Sequence, residues 1–144
     1  TIWHQNRDAV KDSLQVCDIF FPLFFSRYSE DGYGDTAAEA KLFSAATGVE
    51  MTEAGLDMVG ERIFNLERAI MAREGRTRAY DEASTEYFKK PDHEGVKMDE
   101  TRFRALMDEY YDLRGWDRVT GRPTRAKLEQ LGLRDVADQL DRLP

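Results

Sequence analysis

The sequence predicts an all-α chain: a single multi-helical domain of about five or six helices, without significant sheet. Three observations carry that expectation. Apolar residues recur at spacings of three and four, glycines stand where those runs stop, and alternating strand patterns are scarce. The length suits one domain over residues 1–144. A hydrophobic content of 41% beside 34% charged residues describes a folded globular chain.

The opening stretch, roughly residues 5 to 17, reads as helix. Residues 36 to 47, TAAEAKLFSAAT, are good helix formers that run into Gly48. Thr52 opens a long helix that stops at Gly75, with Leu56, Val59, Ile63, Leu66 and Ile70 placed on one inward face. Asp99 caps a further helix ending at Gly115, with Phe103, Leu106, Met107, Tyr110 and Tyr111 expected inward. DRVTGRPT reads as a turn, followed by a short helix from Thr124 to Leu131 and a last amphipathic one over RDVADQLDRL. The segments SEDGYGD and FKKPDHEGVKM read as loops.

Charges on the two longest helices differ. Glu100 and Arg104 stand four apart, as in pairs along a solvated face. On the long helix, Glu61, Arg62, Glu67 and Arg68 lack complementary neighbours at that spacing. These four are therefore expected to tie helices together through other elements. Trp116 is expected beneath the turn after Gly115, its indole N–H requiring a partner.

Composition narrows the function. A net charge of −7 lacks the basic footprint that phosphate backbones or anionic membranes require, so neither nucleic acid nor membrane is an expected partner. The longest apolar run, Ile19 to Phe25, is too short to span a bilayer and contains Pro22. A single cysteine excludes an internal disulfide and fits a reducing, cytoplasmic setting. Two histidines far apart in sequence offer no metal-ligand spacing, and GYG at 32 to 34 lacks the strand–turn–helix context of a phosphate loop. The carboxylates Asp108, Glu109 and Asp112 read as a solvated helix face, and Cys17 among Val16, Ile19, Phe20 and Phe21 reads by itself as core filling. No catalytic residue is assigned within the chain.

Three stretches change that reading. DSLQVC (residues 12–17), GERIFNLERAIMAREGRTR (60–78) and LMDEYYDLRGWDRVTGRPTRAKLEQLGL (106–133) resemble, in order, the C-terminal domain of the tungsten-containing aldehyde ferredoxin oxidoreductase family. The first resembles that family's D-x-x-G-L-C motif, with Gln15 and Val16 in place of the glycine and leucine. The resemblance implies an enzyme holding tungsten, or molybdenum, between two pterin dithiolenes beside a [4Fe–4S] cluster. It would oxidise aldehydes or related carbonyl compounds and pass electrons to ferredoxin or a redox subunit. By that match Cys17 would be the fourth cluster ligand, Asp12 would accept hydrogen bonds from a pterin, and the backbone at Val16 would lie against the cofactor.

These residue types suit such chemistry, since clusters take thiolates and an ionised Asp only accepts hydrogen bonds. On a continuous helix five residues leave two side chains about 140° apart, so a helix end is expected between Asp12 and Cys17 if both face one cofactor. The FFPLFF run (20–25) would wall that assembly from water. The chain begins with Thr and shows no signal peptide, which reads as a C-terminal fragment whose partners are the N-terminal domains of the same enzyme. Alone it is expected to be inactive and without cofactor. The alternative is a helical scaffold or protein-interaction module without redox chemistry.

Overall fold

A computed structural model describes residues 1–17 and 32–143. Among these, seven α-helices follow in order: α1 (Ile2–Leu14), α2 (Ala38–Thr47), α3 (Glu53–Arg73), α4 (Thr85–Lys89), α5 (Glu100–Arg114), α6 (Arg125–Gln130) and α7 (Arg134–Leu140). A single 3-10 turn, Arg78–Asp81, precedes α4. Both it and α4 lie where no helix was expected, because elements this short carry too few positions for a period to register. Among the described residues β pairing is confined to an isolated bridge between Trp116 and Pro123. None of the helices is long and apolar enough to cross a membrane.

The chain divides into two compact units, Thr1–Phe64 and Asn65–Pro144. The first packs Val10 of α1, Ala40 of α2 and Leu56 of α3, with Leu14 and Met51 against them. The second packs Ala69 and Ala72 of α3 against Leu128, Leu131, Leu133, Ala137 and Leu140, joined by Leu66, Val136 and Leu143.

The helix ends follow local chemistry. Asp99 accepts the Arg102 backbone N–H at 2.9 Å, Thr52 accepts that of Gly55 at 3.0 Å, and Thr124 accepts that of Lys127 at 3.3 Å. Helices α3, α5 and α6 close in one pattern. A left-handed glycine (Gly75, Gly115, Gly132) donates three residues back, and the next residue donates five back. The same closure ends α1, but there the left-handed residue is Gln15, at φ 58° and ψ 35°.

That substitution has a measurable consequence. A side chain in left-handed geometry costs about 1–2 kcal/mol, while glycine gives back roughly 0.5–1 kcal/mol of that in backbone entropy. Gln15→Gly should therefore stabilise the chain by up to about 1 kcal/mol, read as a higher urea midpoint. A lower midpoint would show that the Gln15 side chain contributes more than its strain costs.

The expected inward faces need correction. On α3, Leu56 is buried and Ile63 and Leu66 are half-buried, but Val59 and Ile70 are 38% and 43% exposed. Gly60, Asn65, Arg68, Ala69 and Ala72 complete the buried surface instead. On α5, Tyr111 and Arg114 are fully buried while Leu106 is 54% exposed. The apolar stripe misleads because the α1 backbone at Asn6 packs directly on Gly60 and the buried polar groups find partners elsewhere.

Those partners are specific. Arg68, of the four charges expected to join helices, donates through Nε to the Gly121 carbonyl at 2.7 Å and through both terminal nitrogens to Asp81 at 3.0 and 2.5 Å. The Tyr111 hydroxyl donates to the same carboxylate, and Arg68 stacks 4.5 Å over the Trp116 ring. Glu61 is half-buried, whereas Arg62 and Glu67 are exposed. The Trp116 indole N–H finds Asn65 Oδ1 at 2.8 Å, so the expected partner exists. Asp108 and Asp112 are exposed or half-exposed and pair with Arg78 and Arg118, as a solvated face would.

Candidate functional site

Helix α1 carries the stretch that holds Asp12, Val16 and Cys17. Its buried stripe is Arg7, Val10 and Lys11, with Asn6 beside them and Leu14 half-buried below. Val10 enters the core of the first unit, and Asn6 reaches Asp57 of α3 through Nδ2 at 3.3 Å. Glu39, buried at the start of α2, receives Arg7 Nε and Nη2 on one oxygen at 2.8 and 2.5 Å. Lys11 Nζ stands 3.8 Å from that same oxygen. Lys11 is only 1% exposed, an unusual burial for lysine. Arg7 also lies 4.9 Å over the Trp3 ring, a cation–π contact.

The chain leaves helical geometry at Gln15, between Asp12 and Cys17, so α1 ends before residue 17, the limit expected from the sequence. Gln15 N–H donates to the Asp12 carbonyl at 3.2 Å, and Val16 N–H donates to the Lys11 carbonyl at 2.9 Å. The Asp12 side chain is exposed, Val16 is half-buried, and Cys17 is a free, exposed cysteine. The thiol is therefore at the surface rather than filling the core. The Val16 N–H is committed to the helix cap. The expected FFPLFF wall, residues 20–25, lies outside the described residues.

Chemically, this terminus offers one soft sulfur ligand and one exposed carboxylate. Among the described residues no three His, Cys, Asp or Glu side chains gather as a metal site. A single exposed thiol fits a cluster whose remaining ligands come from other polypeptide. Sequence reading missed Arg7, Lys11 and Glu39. A signal was present, because Arg7 and Lys11 share a stripe with Val10 and Leu14 at positions i, i+3, i+4 and i+7.

By fold the chain is of the all-α class, with a free, exposed cysteine three residues past the end of α1. Comparison with known proteins makes the class particular. The family model "Aldehyde ferredoxin oxidoreductase, domains 2 & 3" matches residues 1–133. The tungsten-containing aldehyde ferredoxin oxidoreductase of Pyrococcus furiosus is 33% identical over 134 residues, covering 92% of this chain and 20% of that protein. Its counterpart in Thermococcus kodakarensis is 34% identical with the same coverage. Among solved structures, the active site complex BamBC of benzoyl coenzyme A reductase, in complex with 1,5 dienoyl-CoA, superposes with a TM-score of 0.73 at 27% identity. It covers 96% of this chain and 19% of that one. The chain belongs to the aldehyde ferredoxin oxidoreductase family, and it spans about a fifth of the length of these relatives.

Proposed function

We propose that this chain is the C-terminal helical part of a tungsten- or molybdenum-pterin, iron–sulfur oxidoreductase, with Cys17 as the fourth ligand of its [4Fe–4S] cluster. The observation that carries the reading is an exposed free thiol, three residues past the end of α1, in a chain of this family. In the intact enzyme the pterin-bound metal would supply two-electron oxidation of an aldehyde or related carbonyl compound, and the cluster would relay electrons to ferredoxin or a redox subunit.

This chain's residues then have distinct tasks. Cys17 gives a thiolate to iron, anchoring the end of α1 to the cofactor assembly. Asp12, one turn earlier and exposed, accepts hydrogen bonds from the amine and ring N–H groups of a pterin edge. The backbone at Val16, held by its N–H in the cap, lies against the cofactor. Without the other domains of the same enzyme the chain would neither hold the cofactors nor turn over.

The test is Cys17→Ser in the full-length enzyme. The variant should lose cluster iron and its electron paramagnetic resonance signal while far-UV circular dichroism keeps its helical amplitude. Unchanged iron content and activity would refute the ligand role and favour a helical interaction module without redox chemistry.

A further inference from the structure

We propose that Glu39 is a positioning residue for the cofactor-facing end of α1, acting through Arg7 and Lys11 on the direction in which Cys17 leaves the helix. The inference rests on the reading of Cys17 as a cluster ligand.

Two independent features meet at Lys11. Its ammonium lies 3.8 Å from Glu39 Oε1, in the buried group that also takes two hydrogen bonds from Arg7. Its main-chain carbonyl accepts the Val16 N–H at 2.9 Å, the bond that closes the α1 cap one residue before Cys17. A rotation or shift of α1 that moves Lys11 therefore moves the cap and the cysteine with it. Glu39 comes from α2, so it references the end of α1 to a second helix rather than to α1 alone.

The chemistry favours a geometric over a purely stabilising role. Taking a guanidinium, an ammonium and a carboxylate out of water is costly, and apolar side chains of similar volume commonly serve stability as well or better. What an ion group adds is direction. Both Arg7 bonds and the approach of Lys11 converge on a single oxygen, Oε1, so one atom of Glu39 references both cations of α1. A cluster's potential responds to the orientation and surroundings of its ligand sulfur. Displacement at Cys17 therefore has an electronic readout.

The experiment compares Glu39→Gln and Glu39→Asp in the full-length, cofactor-loaded enzyme. Iron content, the cluster's paramagnetic resonance spectrum and its reduction midpoint are measured, and Asp81→Asn serves as a destabilising control in the second unit. Glu39→Gln should keep the cluster but shift its midpoint and alter its g values. Glu39→Asp, which retains the charge on a shorter stem, should return part of the way to wild type, and the control should match wild type. Wild-type spectrum and midpoint in both Glu39 variants would overturn the positioning role, whatever happens to stability. If Glu39→Gln does not fold, a wild-type signature in folded Glu39→Asp overturns it equally. Failure of the underlying reading is separable: in that case Cys17→Ser itself retains iron.

Discussion

Arg68→Ala should destabilise the second unit by about 3–5 kcal/mol, the range for removing one partner of a buried ion pair. Arg68 is buried and bridges three segments: Asp81 at the end of the 3-10 turn, the Gly121 carbonyl in the turn before α6, and the aromatic faces of Trp116 and Tyr111. Alanine would orphan the Gly121 carbonyl and leave Asp81 with Arg76 and the Tyr111 hydroxyl. Lost hydrogen-exchange protection should centre on α5 and the 117–123 turn. Protection and a denaturation midpoint close to wild type would contradict this.

The same group predicts an acid limb. Burial alone would raise the Asp81 pKa, but hydrogen bonds from Arg68, Tyr111 and Arg76 outweigh it and hold the carboxyl at about 2, below its ordinary 3.8. Burial, with the bond to Asp81, pushes the Tyr111 hydroxyl up to about 12, so it remains a donor at neutral pH. A folded-state pKa below the unfolded one means that the Asp81 contribution is complete above about pH 4. It fades as pH falls towards about 2. Asp81→Asn should flatten that part of the stability profile, measured as midpoint against pH. Unchanged acid sensitivity in the variant would assign the effect to other carboxylates.

Gly60→Ala should cost the first unit about 2 kcal/mol. Helix propensity alone favours alanine by about 1 kcal/mol at a mid-helix site. A Cβ at Gly60, however, would lie 2.2 Å from the Asn6 carbonyl oxygen and 2.7 Å from its carbon, both backbone atoms of α1. Side chains can swing aside; a helix backbone has to shift as a whole, and overpacking of this kind costs about 1–3 kcal/mol, occasionally more. The clash therefore wins. On the proposal that Cys17 is a cluster ligand, the same substitution should disturb the cluster signature in the intact enzyme, since it displaces α1, which ends three residues before Cys17. A midpoint equal to or above wild type would show that α1 yields without penalty.

Much of the fold was legible beforehand. Thr52, Asp99 and Thr124 start helices and Gly48, Gly75, Gly115 and Gly132 end them, because capping is decided within a few residues. Trp116 announced its need for a donor's partner, and Asn65 met it. Val59, Ile70 and Leu106 were misplaced because periodicity identifies an apolar face without saying what covers it. Around the candidate site, a helix end between Asp12 and Cys17 was expected only if both faced one cofactor, and periodicity alone ran the helix on to residue 17. Gln15 in the left-handed position was not expected, since a Cβ there runs against local preference and is held by the cap bonds around it.

The sequence by itself determined an all-α chain and where most of its helices start and stop, through interactions that act over a turn or two, whereas the structure placed Cys17 in the open past the end of α1. Only the tertiary structure decided that Arg7, Lys11 and Glu39 share one buried site, that Arg68 pairs with Asp81, and that α1 crosses α3 at Gly60. The physical reason is range. A buried charge is tolerable only with a partner, and these partners lie on segments far apart in the chain, where residue spacing carries no record of the meeting.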